Sequence, residues 1–323
     1  MRLTLVEAVR DGLATAMAAD PRVVVLGLDV GRLGGVFRAT DGLLERFGPR
    51  RVIDAPLSEA AIVGSSIGLA VSGLVPVVEL QFLGFALQAG HQLGPQLARY
   101  RYRSRGRYEV PVTIRAPFGA GVRSAEFHFD AIEAMFTQCP GLKVVAPSTP
   151  ADARGLLLEA IRDPDPVLFL EPVRLYRRGR QEVPEGERTV PFGKVRLARE
   201  GSDVTLVAWS AAVELCERAA SELVGRGVEA SVLDLRSLVP LDVEGLVRCV
   251  ARTRRCVVVQ EGPLTGGFGA EIAATLQEEA FGTLAAPVVR VAAYDLPLPA
   301  GVAEPWNVPD AARVVAAAEA VLG

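Results

Sequence analysis

Two residues sit where their types could do chemistry. The first is Glu59, in "RVIDAPLSEAAIVGSSIGLAVSG" (51–73), where one carboxylate follows an Asp-Ala-Pro-Leu-Ser turn and no further charge occurs up to Gly73. The segment reads as a turn followed by a helix, with Ser58 as its N-cap. A glutamate in a first turn complements the helix dipole, and that is the plain reading of Glu59. Gly64 and Gly68 lie one turn apart among Ser and Ala, however, and such small residues let other helices approach closely. A glutamate at the mouth of so buried a helix would be partly desolvated, with a proton available for a hydrogen bond. The second residue is His128, one of two histidines, in "APFGAGVRSAEFHFDAIEAMF" (116–136). There a glycine-rich turn leads from a strand into a loop. A lone loop histidine is as readily structural or exposed as it is a proton carrier. Gly119-x-Gly121 is a weak phosphate signal, and "TGGFGAEIAATL" (265–276) lacks the spacing of a dinucleotide fingerprint. The chain has no Walker lysine, no HExxH and no GxSxG. Pattern alone leaves the activity open.

The elements that must position these residues alternate along the chain. "RVVVLGLDV", "LVPVVELQF", "VPVTIRAP", "LKVVAPS" and "PVLFLEP" read as short buried strands. Helical patterns separate them at 4–18, 58–73, 84–102 and 150–162. Residues 177–203 are polar and rich in Pro and Gly, as linkers are. The alternation then restarts with "VTLVAWS", a helix at 211–226, "EASVLDLRSLVP", a helix near 242–252 and "RRCVVVQEG". A helix at 270–281, the strand "APVVRVAAYD" and a helix at 309–322 complete it. The expected architecture is α/β in two domains, 1–180 and 203–323, joined by a linker at 181–202, each a mostly parallel sheet flanked by helices.

Composition sets the bounds. At 323 residues, half of them apolar, the chain can bury two cores. A net charge of −3 and the lack of a basic stripe argue against nucleic acid. The one basic run, "RYRYRSRGRY" (99–108), reads as a solvated helix end and turn, or as a partner contact. Cys139, Cys216, Cys249 and Cys256 are far apart without CxxC spacing, as reduced thiols of a cytoplasmic protein would be. The N-terminus is amphipathic and interrupted by acids, unlike a signal peptide, and no apolar run reaches membrane-spanning length.

Taken together, longer segments carry more. "RVVVLGLDVGRLGGVFRATDGLLERFGPRRVIDAPLSEAAIVGSSIGLAVSGLVPVVELQF" resembles the opening of the β subunit of thiamine-diphosphate 2-oxoacid dehydrogenases. The likeness continues through "RYRSRGRYEVPVTIRAPFGAGV", "PGLKVVAPSTPADARGLLLEAIRDPDPVLFLEP", "VLDLRSLVPLD", "GAEIAATLQEEAF" and "APVVRVAAYDLPLP", over essentially the whole chain. It is closest to the pyruvate dehydrogenase type, with "QFLGF" and Gln138-x-Pro-Gly-Leu142 leaning that way. The resemblance implies transketolase-like pyrimidine-binding and C-terminal domains. It also implies that Glu59 shares a proton with N1′ of the cofactor's aminopyrimidine, the contact that favours the imino form able to activate C2. Leu57, Gln81 and Phe85 fall on cofactor-binding positions, Phe85 against the pyrimidine. His128 falls on a histidine that orients substrate and helps pass the acyl group to lipoyl-lysine. A potassium site is implied at Val112, Ala160, Ile161, Asp163 and Asp165, partly through backbone oxygens, a hard donor set.

The chain has no Gly-Asp-Gly motif, so the resemblance implies that an α subunit holds the diphosphate and Mg²⁺ in an α2β2 heterotetramer. It further implies docking on a lipoyl acyltransferase core through that core's peripheral-subunit-binding domain. Four positions depart from the family pattern. Leu28 replaces an acid in "GLDVG", Phe129 and Ala131 replace the residues after the histidine, and His91 stands at an acidic position. Competing readings are a branched-chain 2-oxoacid dehydrogenase β subunit, a non-catalytic paralogue that keeps only assembly contacts, and a self-contained transketolase-like enzyme, which the missing Gly-Asp-Gly disfavours.

Overall fold

The computed structural model describes residues 1–323. Its first sheet has seven strands, in the order Ser237–Val239, Lys143–Val145, Val167–Pro172, Thr113–Phe118, Val75–Glu79, Val23–Gly27, Val52–Asp54. Every pairing is parallel except the first, where Ser237–Val239 runs antiparallel to Lys143–Val145. The second sheet has five strands, Val289–Ala293, Cys256–Pro263, Val204–Ala208, Ala230–Asp234 and Arg196–Arg199, with only the last antiparallel. The expected architecture of two mostly parallel sheets flanked by helices is what is found. The central strands Val23–Gly27 and Val204–Ala208 are buried at every residue, as sheets covered on both faces require, which is why "VVVLG" and "VTLVA" read as unbroken apolar runs.

Local chemistry explains the main helices. Thr4 and Glu7 close a capping box on Leu5–Ala19: Thr4 N–H donates to Glu7 at 2.8 Å and Glu7 N–H to Thr4 Oγ1 at 3.4 Å. Thr149 caps Pro150–Arg162 by accepting from Asp152 N–H at 3.1 Å, with Pro150 in the first turn, where its missing N–H costs nothing. These two helices pack together beneath one face of the first sheet, tied by Arg154 donating to Asp11 at 2.6 Å.

Three features depart from the sequence reading. The helix expected over 84–102 is broken into a 3-10 turn (Leu83–Ala89), a π turn (Gln92–Ala98) and a four-residue helix (Tyr100–Arg103). Pro95 lies inside the middle piece and cannot donate to the ladder, so the register widens there. The polar stretch 181–202 carries two short strands: Gln181–Glu182 pairs with Arg2–Leu3, and Arg196–Arg199 edges the second sheet. "EASVLDLRSLVP" divides between the two sheets, because Ser237–Val239 crosses to the edge of the first.

That crossing fuses the units. One continuous apolar cluster contains Ile114, Leu168 and Leu97 from the first together with Val207, Trp209, Leu233 and Ile272 from the second. A polar knot lies on the same seam: Arg196 and Arg236 each bridge to Asp152 of the first unit, at 3.3 and 3.1 Å, and Ser148 donates to Asp234 at 2.5 Å.

Candidate functional site

Parallel sheets place their functional loops beyond the carboxyl ends of the strands. Here those ends are held rigid by a buried ionic network. Arg115 donates to Glu79 at 2.5 Å and to Glu171 at 2.9 Å, while Tyr176 donates its hydroxyl to Glu171. All four side chains are buried. Burial pushes the Glu79 carboxyl upward while Arg115 pulls it back. Above this floor Tyr176 meets Phe37 at 5.2 Å between ring centroids, and Phe37 meets Phe82 edge-on at 5.6 Å.

Phe82 is the hub of the site. Its ring stands 4.8 Å from the His128 ring, 5.7 Å from Phe85 and 5.8 Å from Phe129. Phe85 closes the cage at 5.2 Å from His128. The structure therefore brings two of the expected residues, Phe85 and His128, into contact. His128 is half-buried, and its Nδ1 lies 3.0 Å from the carbonyl oxygen of Glu126. A carbonyl only accepts, so Nδ1 is the donor and Nε2 is left for an incoming group. Gly84 makes this packing possible: a Cβ there would stand 2.3 Å from the carbonyl oxygen of Phe127. Phe129, which departs from the family pattern, is buried against Phe82, so the cage replaces a polar neighbour with an apolar one.

Glu59 opens the helix Glu59–Val71. Ser58 takes the N-cap position but its side chain makes no capping hydrogen bond. The turn before it is fixed from elsewhere: Asp54 accepts from Gly31 N–H at 2.6 Å and from Arg32 N–H at 3.2 Å. Glu59 is only 6% exposed, yet its carboxylate enters none of the chain's hydrogen bonds or ion pairs. The helix packs against Leu83–Ala89, the segment that carries Phe85. Leu57 is 71% exposed, Gln81 is half-buried, and Leu28 is half-buried at the end of its strand. His91 is exposed and sits 3.3 Å from Gln96 on the broken helix.

The expected cation turn is laid out differently. Val112, Ala160 and Ile161 are buried, but the carboxylates already have cationic partners. Both oxygens of Asp163 accept from Lys143 at 2.6 Å, and Asp165 accepts from Arg101 at 3.0 Å. What remains for a metal is backbone oxygen, a hard donor set that fits potassium. No group of three or more His, Cys, Asp or Glu side chains is arranged to hold a metal.

Several residues of this region could not be read from the sequence. Trp209, from the second unit, donates to Glu133 at 3.1 Å just beyond the His128 loop. Glu261 presses against Gly119 at the loop's start, where a Cβ would lie 2.5 Å from its Oε2. Neither Glu261 oxygen has a hydrogen-bond partner, and burial pushes its carboxyl up to about 7, with Arg174 pulling the other way. Each contact joins residues more than 70 positions apart, so no local pattern announces it.

Two families match the chain: "Transketolase, pyrimidine binding domain" over residues 2–179 and "Transketolase, C-terminal domain" over residues 193–314. It is similar to the pyruvate dehydrogenase E1 component subunit beta of Bacillus subtilis, 46% identical over 99% of both chains. The protein of the same name from Acholeplasma laidlawii is 43% identical, over 97% of this chain and 96% of its own. Among solved structures, a split-gene transketolase described as an inactive β4 tetramer superposes with a TM-score of 0.81 at 27% identity, over 99% of this chain and 98% of that one.

Proposed function

The chain belongs to the family of pyruvate dehydrogenase E1 β subunits, and from that premise we propose that it works with an α subunit in the oxidative decarboxylation of pyruvate and the reductive acetylation of lipoyl-lysine on the acyltransferase component. Thiamine diphosphate, when bound, supplies the nucleophilic carbon and the electron sink for decarboxylation. This chain's part is to receive the aminopyrimidine end. Glu59 holds a proton at N1′, Phe85 packs against the ring with Leu57 and Gln81 beside it, and His128 presents Nε2 to the substrate. The diphosphate and Mg²⁺ fall to the α subunit. Potassium, bound through the backbone oxygens of Val112, Ala160 and Ile161, steadies the fold.

The observation that carries this reading is the Glu59 carboxylate, at a helix start in a residue only 6% exposed, with no hydrogen bond or ion pair from its own chain. A carboxylate so little exposed and left unpaired by its own chain is free to bond a group that arrives from outside it. A second support is apolar: Leu57 and Phe127, neighbours of the two candidate residues, are 71% and 59% exposed, as suits a surface that another subunit covers.

Glu59→Gln is the test. A residue that merely complements the helix dipole would cost at most about 1 kcal/mol of stability on neutralisation and leave turnover nearly intact. Under the reading above, turnover of the reconstituted αβ enzyme falls by roughly two or more orders of magnitude, the scale of a lost acid–base contribution. Exchange of the cofactor's C2 proton slows in parallel, and the melting temperature barely moves. Wild-type exchange and turnover in the Gln variant would return Glu59 to a structural role.

A further inference from the structure

The segment that carries His128 is an awkward piece of backbone. Gly119, Gly121, Arg123 and Phe127 all have positive φ, at 81°, 129°, 55° and 70°, and two of these are side-chain-bearing residues that resist that region. No helix or strand lies between Phe118 and Ala134 to hold it. A loop of this kind keeps one shape only if its surroundings over-determine it.

The second unit provides that restraint. Glu304, only 3% exposed, reaches across 180 positions with a carboxylate that accepts from Gly121 N–H at 2.9 Å through one oxygen and from Arg123 N–H at 2.9 Å through the other. Gly301 N–H donates to the carbonyl of Ser124 at 3.2 Å beside them. Glu304 forms no ion pair, and these two backbone N–H groups are the hydrogen-bond donors its carboxylate has; the other charge close enough to be felt is the buried Glu261 carboxyl, a like charge. Successive N–H groups on a left-handed turn make a small anion-binding concavity, and here the anion is supplied by the same chain. Hydrogen bonds to a buried carboxylate are about twice as strong as neutral ones. The far end of the loop is pinned as well, by Trp209 on Glu133 and by Gly262, where a Cβ would lie 2.6 Å from the Ala131 carbonyl.

We propose that Glu304 is a positioning residue: its carboxylate clamps residues 121–124 to the second unit and thereby sets where His128 stands. The catalytic consequence rests on the function proposed above, whereas the clamp itself does not. The same structure has a directional implication. A movement of the 301–306 turn would be felt at His128 through residues 121–124.

Hydrogen–deuterium exchange on the full chain, read by mass spectrometry, tests the clamp directly. In Glu304→Ala, amides of the 119–128 segment should exchange at least about tenfold faster, while Thr113–Phe118 and Val204–Ala208 keep wild-type protection. Glu304→Gln preserves volume and one acceptor, and so should give an intermediate effect and guard against a misfolded Ala variant. In the αβ enzyme, kcat/KM for the 2-oxoacid should fall about tenfold in the Ala variant, less in the Gln variant, with melting temperatures close to wild type. Unchanged exchange in both variants would overturn the clamp. Faster exchange with unchanged kcat/KM would overturn the positioning role. An enzyme inactive with wild-type chain would defeat the functional reading instead, and the exchange result would still decide whether Glu304 holds the loop.

Discussion

A carboxylate kept from water without a hydrogen-bond donor is an unusual thing for a fold to tolerate, and Glu261 has both oxygens in that state. Its side chain is 8% exposed, and the nearest cation, Arg174, is 3.9 Å away. Burial pushes its carboxyl up to about 7, so the folded chain holds a proton that the unfolded chain releases at its ordinary value of 4.5. The sign follows: this protonation favours the folded state fully below about 4.5, and the benefit is lost as pH rises through 7. Glu261→Gln stays neutral throughout. The variant should therefore gain on wild type between pH 5 and pH 8, by on the order of 2–3 kcal/mol across the window. Parallel denaturation curves at several pH values measure it, and a stability difference that does not vary with pH would show that Glu261 finds a donor in solution.

At the scale of elements, the segment 83–98 matters most, because a 3-10 turn and a π turn replace the regular helix and bring Gly84 against the His128 loop. Gly84→Ala would push a methyl group to 2.3 Å from the Phe127 carbonyl, so either the turn or the loop must shift. Overpacking of this sort costs about 1–3 kcal/mol, and enzyme activity should fall further than stability alone explains because the displaced atoms adjoin His128. A variant that melts and turns over like wild type would mean that the loop yields freely. The turn at 162–165 gives a second expectation. Asp163→Ala leaves the Lys143 ammonium without its 2.6 Å partner, an uncompensated positive charge on the turn proposed to hold a cation. Added K⁺ should raise the melting temperature of wild type and not that of the variant. An equal response would place the cation elsewhere.

The same elements show what a sequence can tell. Pro150–Arg162 starts where its sequence reading puts it because Pro150 and Asp152 are local start signals. The buried strands were legible because apolar runs bounded by Gly and Pro have few other uses. The 84–102 stretch was misread because helical periodicity survives a 3-10 or π interruption, and only Pro95 hinted at one. At the site, Glu59 and His128 stood out by rarity and setting. Phe82 did not, since one phenylalanine among twelve carries no mark of being a hub. Glu304 and Glu261 were beyond reach because their meaning lies in backbone groups of another unit.

As a whole molecule the chain behaves as one body built from two sheets. Removing everything after the 181–202 stretch would strip an edge strand from the first sheet and uncover the apolar surface that Val207, Trp209, Leu233 and Ile272 now cover. The salt links on the seam would go with it, including Asp234, whose carboxyl burial pushes up to about 6 even with Arg196 bonded to it. Thermal unfolding of the intact chain should accordingly be a single cooperative transition, with both sheets lost together. Two resolved transitions in calorimetry would show that the seam yields first.

The seam is also optically labelled. The chain has two tryptophans. Trp209 is buried on the shared core, edge-on to Phe268 at 5.9 Å and bonded to Glu133, whereas Trp306 is 82% exposed, two residues from the carboxylate that holds the His128 loop. One indole emits from an apolar medium and the other from water. Steady-state fluorescence thus carries two separable signals, a blue component that reports the joint between the sheets and a red one that reports the turn around Glu304. Quenching of the red component alone when a partner is titrated in would locate that partner at the outer end of the clamp, with no dye attached and no residue changed.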